Sequence, residues 1–356
     1  MAGGGDSFTY TGLPTRVVFG TGTLARVRDE VERLAVTRAL VLTTPSQVDH
    51  GQAVADRLGD RAAGVFSGAA MHTPVEVTLA ALAELRGLGA DGVVAIGGGS
   101  TIGLGKALAA RTGVPQLAIP TTYAGSEMTP ILGETCAGEK TTRRSLDVLP
   151  ETVIYDVDLT LGLPVALSGV SGINAIAHAV EALYAQDANP ITSALAEQGI
   201  AALARALPAI AGDPHDRAAR RDALYGAWLC AVCLGAVGMA LHHKLCHVLG
   251  GTFGLPHAET HTAVLPHAVA YNAPAAPEAM ARIARALGTG DAATGLYDLA
   301  GAVGARRALA ELGMPGGGLD RAAELAVAHP YGNPRPIERG AIRALLERAF
   351  TGARPL

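Results

Sequence analysis

Residues 242–261 read HHKLCHVLGGTFGLPHAETH and hold five histidines in twenty positions. His243 and His247 are four apart, so on a helix both imidazoles fall on one face. His242 lies one residue off that face, and its loss is expected to be mild. The Gly-Gly pair and the proline that precede His257 predict a break in the helix that turns a third imidazole back toward the first two. Upstream, Asn174 and His178 repeat the i, i+4 spacing and predict a facing helical wall. Any one of these histidines is more commonly a core or surface residue. As a set they can bind a metal, move a proton or donate to an oxyanion.

A second stretch suits phosphate. VVAIGGGSTIGLGKALA predicts a strand, then Gly97, Gly98, Gly99, Ser100 and Thr101, then a helix. Backbone N–H groups at a helix start, unshielded by side chains, attract a pyrophosphate, and the helix dipole adds to the attraction. Glycines also serve tight turns, so this run alone decides little. The next strand, in AIPTTYAGSE, carries Thr121, Thr122, Ser126 and Glu127 at its carboxyl end, where parallel sheets bind ligands. The pattern is not the usual GxGxxG dinucleotide fingerprint.

The elements that must position these residues follow from periodicity. Short apolar strands over residues 16–20, 39–43, 64–66, 93–96, 117–120 and 152–155 alternate with helices over 22–34, 51–58 and 74–88, which predicts a parallel α/β sheet. Beyond residues 158–164 the pattern is helical throughout, over 171–187, 192–211, 219–249, 277–287, 292–313, 318–328 and 336–350. Two domains are therefore expected: an α/β domain over 1–160 and an all-helical domain over 161–356.

With 356 residues, 49% of them hydrophobic, a large core is available. A net charge of −4 with interspersed signs argues against nucleic acid. The uncharged run 223–241 approaches bilayer-spanning length, yet it is rich in small residues and reads as a core helix, so no membrane partner is expected. Cys230 and Cys233 lie in that run and read as buried, reduced thiols. The start, MAGGGDSFTYTG, lacks the basic and apolar regions of an export signal, and a cytoplasmic setting is expected.

Taken together, GGGST, PTTYAGSE, TVIYDVDLT, Asn174-x-x-x-His178, His243-x-x-x-His247 and PHAETHTAVLPH resemble the iron-containing alcohol dehydrogenase family over essentially the whole chain. PTTYAGSEMTPI, GEKTTRR before VLPETVIYD, GINAIAHAVEALYA and PYGNPRPIERGAIRALLERA are most similar to the family's maleylacetate-reducing branch. The resemblance implies an N-terminal nucleotide-binding domain, a helical C-terminal domain and a catalytic cleft between them. It implies NADH as cofactor, a small dianionic substrate and a homodimer. It also implies a metal site in which an Asp and three histidines correspond to Asn174, His178, His243 and His257, with His247 near the nicotinamide.

Asn174 departs from that pattern. An amide oxygen is a poorer ligand than a carboxylate, although three imidazoles can still hold zinc. The maleylacetate-reducing branch also lacks this Asp, so no metal is expected, and Asn174 and His257 are assigned to substrate. Reduction of the C=C bond conjugated to a ketone requires stabilisation of an enolate oxygen and protonation of carbon. His178, His243 and His247 are candidates for these roles, with Tyr123 a further donor. Lys140, Arg143, Arg144 and Arg335 lie in family-like motifs and are candidates for the two carboxylates.

After the second strand the family often carries an acidic residue that binds the adenosine ribose. Here the stretch is VLTTPSQ, with Thr43 and Thr44 and no carboxylate, so NADPH should be tolerated alongside NADH. Two alternatives remain open: a metal-dependent alcohol or polyol dehydrogenase, and a non-catalytic metal- or nucleotide-binding protein.

Overall fold

A computed structural model describes residues 7–136, 139–329 and 331–355, the side chains of residues 139 and 140 excepted. The chain divides into two compact units, Leu13–Leu163 and Pro164–Leu356, the latter joined by the described residues up to Gly12.

The first unit is an α/β layer. Six strands, β1 (Arg16–Gly20), β2 (Ala39–Leu42), β3 (Ala62–Phe66), β4 (Gly92–Gly97), β5 (Gln116–Pro120) and β8 (Thr152–Asp156), form a sheet in the order β1-β8-β5-β4-β2-β3, parallel throughout. Helices α1 (Val27–Arg33), α2 (Val48–Leu58), α3 (Val75–Gly87) and α4 (Gly99–Thr112) make the crossovers. The central strands are buried along their whole length, which is why they read as continuous apolar runs rather than alternating ones. Two strands, β6 (Ile131–Cys136) and β7 (Glu139–Arg144), pair as an antiparallel hairpin that periodicity does not predict. Polar EKTTRR gives no apolar period to detect.

The second unit is helical: α5 (Val165–Ala182), α6 (Pro190–Gly212), α7 (Arg217–Ala236), α8 (Leu241–Phe253), α9 (His257–Asn272), α10 (Pro277–Leu287), α11 (Ala292–Ala302), α12 (Leu319–Val327) and α13 (Arg339–Thr351). The expected single helix over 219–249 is two helices, α7 and α8, bent by 93° at residues 237–240. Apolar periodicity runs through the elbow unbroken, so the bend is set by tertiary contacts. The carboxylate of Asp187 accepts from Gly238 N, and that of Glu181 accepts from Ala240 N and His242 N.

PHAETHTAVLPH opens helix α9, and Pro266 lies inside that helix. Gly250 and Gly251 lie within α8 and do not break it. The chain turns instead at Gly254, which holds φ +67°, a left-handed cap that glycine adopts without penalty. Helix α5 meets the length and hydropathy of a membrane span, but 83% of it is buried against neighbouring elements. Cys230 and Cys233 are free, buried thiols, the second pushed up to about 12 by burial.

Candidate active site

In the helical unit, Asn174, His178 and Glu181 sit on α5 at i, i+4 and i+7, one face of one helix. All three are buried. Glu181 organises the rest. Its Oε2 accepts from His243 Nδ1 at 2.7 Å and from Ala240 N at 2.8 Å, while Oε1 accepts from His242 N at 2.7 Å. One carboxylate therefore caps the free N–H groups at the start of α8, where the dipole favours an anion, and fixes the tautomer of the first catalytic candidate on that helix. Sequence reasoning missed Glu181, although the i+7 spacing from Asn174 was available to find it.

With Nδ1 committed to Glu181, His243 leaves Nε2 for a partner. That atom is buried without one, as are His178 Nδ1, Asn174 Oδ1 and His261 Nε2. The rings of His178 and His243 stack at 5.1 Å between centroids, and His247 lies 6.4 Å from His243. His257 and His261, one turn apart on α9, approach to 4.3 Å. His247 and His257 are exposed, whereas His178, His243 and His261 are buried, so the cluster has an enclosed floor and an open rim. Burial, then the neighbouring His243 and His257, holds the His178 imidazole well below its usual range, so it is neutral near pH 7.

His242 is not the bystander expected from its spacing. It is fully buried, and its Nε2 is 2.9 Å from His261 Nδ1. The elbow, by turning α8, places both faces of its first turn indoors. His242 therefore cannot serve as a mild control.

Those orphaned atoms test whether the family's metal fits. Asn174 Oδ1, His178 Nδ1 and His243 Nε2 are amide-oxygen and imidazole-nitrogen donors of the kind a divalent cation takes, and the Glu181 carboxylate behind His243 is the usual outer partner of a ligating histidine. The residues thus fit a divalent cation, with the negative charge one bond removed from it. They equally fit a substrate oxygen that accepts a hydrogen bond from a protonated ring.

In the α/β unit the glycine run lies at the end of β4 and the start of α4. Gly98 is the N-cap and supplies no side-chain acceptor. The N–H groups of Gly99 and Ser100 thus open the helix without a capping side chain. A Cβ on Gly97 would lie 2.5 Å from Thr101 Oγ1, and one on Gly98 would lie 3.2 Å from Thr122. The bare cradle suits a pyrophosphate, with half-buried Thr122 and Ser126 beside it.

The three expected threonine contacts do not fare alike. Thr43 is fully buried, and its hydroxyl donates to Gln47 O. Thr101 is fully buried with its hydroxyl against Gly97, and the Thr121 hydroxyl accepts from Gln47 Nε2. Thr43 and Thr121 spend their hydroxyls inside the protein, whereas the buried Thr101 Oγ1 has no partner.

Tyr123 is likewise enclosed at 0% exposure, which removes it as a donor to a substrate arriving from solvent. Arg335 stacks 4.3 Å over the Tyr271 ring and donates to Tyr271 O, so it fastens the C-terminal loop instead of holding a carboxylate. Arg143 and Arg144 are exposed on the β6–β7 hairpin, Arg143 facing Asp147 at 3.4 Å. Lys140 pairs through its backbone with Thr135, and its side chain lies outside the described residues.

Comparison with known proteins adds to this geometry. Residues 14–157 match the iron-containing alcohol dehydrogenase family and residues 169–350 its C-terminal region. The chain is 60% identical to maleylacetate reductase from a Rhizobium species over 348 residues, 98% of this chain and 99% of that protein. It is 59% identical to maleylacetate reductase from Sphingobium indicum over the same shares of each chain. The crystal structure of maleylacetate reductase from Agrobacterium tumefaciens superposes with a TM-score of 0.96 at 59% identity, covering 99% of this chain and all of that one. At 28% identity, 1,3-propanediol oxidoreductase still gives a TM-score of 0.90 over 97% of this chain and all of that one. By sequence along nearly its whole length and by fold, the chain belongs to the iron-containing alcohol dehydrogenase family.

Proposed function

We propose that this protein is a maleylacetate reductase, reducing the C=C bond of maleylacetate, and of its chlorinated analogues, to the corresponding 3-oxoadipate in aromatic-compound breakdown. The observation that carries the reading is the neutral Asn174 in a cluster otherwise built like the family's metal site, together with relatives of that name at 60% identity. Bound NADH supplies the hydride, which is added to C2 of the substrate.

The protein's own residues handle the rest. As C2 gains hydride, the π electrons shift to C3–C4 and negative charge collects on the C4 oxygen. The His243 ring, held by Glu181, offers Nε2–H to that oxygen when protonated. His178 and His247 flank it and pass the proton that C3 takes up. Asn174 and His257 contact the substrate, and Gly97 to Ser100 hold the nucleotide phosphates.

A divalent ion on Asn174, His178, His243 and His257 would supply Lewis-acid polarisation of the C4 ketone. The reaction does not depend on it, because the conjugated ketone already delocalises the incoming charge. NADPH works alongside NADH, since the turn after β2 carries no carboxylate to repel a 2′-phosphate. The protein acts as a cytoplasmic homodimer.

The test is oxidation of NADH with maleylacetate, in EDTA and after iron or zinc is added. Turnover that survives the chelator supports the reading. Turnover with simple alcohols that vanishes in EDTA and returns with metal would make this a metal-dependent dehydrogenase instead. A preference for NADH above about a thousandfold, on the order of 4 kcal/mol, would overturn the cofactor reading.

A further inference from the structure

Behind the catalytic cluster lies a second group of donors that the proposed reaction does not use. His242 and Cys246 are i, i+4 on α8, and His261 comes from α9 after the Gly254 turn. Their exposures are 0%, 3% and 0%. His242 Nε2 is 2.9 Å from His261 Nδ1 and 3.8 Å from Cys246 Sγ, and the three ligand atoms all lie within 4.8 Å of one another.

A hydrogen-bonded imidazole pair beside a thiol is the simplest account of these contacts. It leaves the thiol with only long contacts to the His242 ring, 3.8 Å to Nε2 and 4.0 Å to Nδ1. A tetrahedral zinc ion with N at about 2.0 Å and S at about 2.3 Å sets ligand separations of about 3.4 Å for N···N and 3.6 Å for N···S. The thiol is already near that distance, and the imidazoles need part by only about half an ångström.

We propose that His242, Cys246 and His261 form a binding site for a thiophilic divalent cation, zinc foremost, distinct from the donors Asn174, His178, His243 and His257. Two imidazoles and one thiolate are borderline-to-soft ligands that favour such a metal over magnesium or calcium. Cys246 is a free thiol, and both imidazoles are buried with it. Binding therefore expels the thiol proton: Cys–SH and M²⁺ give Cys–S–M⁺ and H⁺. The proton shared by the two rings moves to the far nitrogen of the ring that carries it. The ion would tie α8 to α9, the two helices that present His243 and His257.

Cobalt(II) as probe separates this site from the nitrogen- and oxygen-only set, because only a thiolate ligand gives sulfur-to-cobalt charge transfer in the near ultraviolet. Equimolar Co²⁺ added anaerobically to the full chain should produce that band. Cys246→Ala should abolish it and weaken Co²⁺ binding by at least about tenfold, while His257→Ala should keep it. Cobalt bound without the band, or a band that survives Cys246→Ala, would overturn the proposal. If Cys246→Ala does not fold, wild-type crystals grown with equimolar zinc give the answer. An anomalous peak among His242, Cys246 and His261 supports the site, whereas a peak among His178, His243 and His257, or none, refutes it.

Discussion

Two buried polar clusters in this molecule are satisfied to different degrees, since among the described residues around Lys106 only Glu127 Oε2 lacks a partner. In the α/β unit, Lys106 on α4 is fully enclosed, and its Nζ donates to Ser126 O at 2.5 Å, Thr129 O at 2.7 Å, Thr129 Oγ1 at 2.9 Å and Ile131 O at 2.9 Å. Nearby, Tyr155 donates to Glu127 Oε1 at 2.7 Å. Burial pulls the amine down to about 7, Glu127 opposes the shift, and the ring of acceptors suits the ammonium form. In the helical unit the catalytic histidine cluster has one carboxylate and three orphaned polar atoms, on Asn174, His178 and His243. A caged charge with every donor used is a fastener. Acceptors and donors held in place without partners are a site that awaits one.

The sharpest way to break that contrast is His243→Ala. If the ring stabilises charge only as hydride moves, kcat with maleylacetate should fall by about 10² or more, the usual cost of one well-placed oxyanion donor. The affinity for NADH should change by only a few-fold, because the phosphates are assigned to the glycine cradle on the other unit. Steady-state kinetics and nucleotide titration check both halves. A variant that merely needs more substrate would make the cluster structural.

Lys106→Met is the converse experiment. It strips partners from three carbonyls and leaves Glu127 without its cation, so unfolding in urea should show a loss of about 2 kcal/mol or more, at roughly 1–3 kcal/mol for each buried group left unpaired. The folded fraction should keep its kcat, because the amine bonds backbone and hydroxyl oxygens of Ser126, Thr129 and Ile131 rather than the histidine cluster. A large fall in kcat at unchanged stability would place Lys106 in the reaction and dissolve the distinction between cage and site.

What could be read without coordinates divides along the same line. Strands β2, β4, β5 and β8 are apolar runs ended by turn residues, and the local pattern suffices to place them. Asn174 and His178 lie on α5, and His243 and His247 on α8, so i, i+4 spacing was enough to pair them. The elbow at 237–240 could not be read, because its cause is two carboxylates, Glu181 and Asp187, that come from 51 to 61 residues away. His242, peripheral by its angle on a lone helix, is interior once that elbow forms. Arg335 and Tyr123 have suitable chemistry, but burial and stacking, which spacing does not encode, give them other work.

His267 is one of the exceptions by position to the rule that orphaned polar atoms mark the site, His50 being another. Its Nε2 is buried without a partner, yet it lies ten residues beyond His257 on α9, about 15 Å along the helix. Burial, with Arg348 adding to it, lowers its pKa from 6.5 to about 4. The folded state therefore keeps the ring neutral while the unfolded chain takes a proton below pH 6.5. Its contribution to stability is complete above 6.5 and is lost as pH falls through the window from 6.5 to 4. Between pH 7.5 and 5.5 that loss amounts to about 1 kcal/mol, at roughly 1.36 kcal/mol for each tenfold difference in proton affinity between the folded and unfolded chain. His267→Asn should flatten the pH dependence of the urea midpoint over that interval by this amount and leave kcat near wild type at pH 7.5. A His267 variant with unaltered pH dependence but reduced turnover would show that the reactive region extends along α9, and that an unpartnered buried ring is a better guide to function than its distance from the cluster.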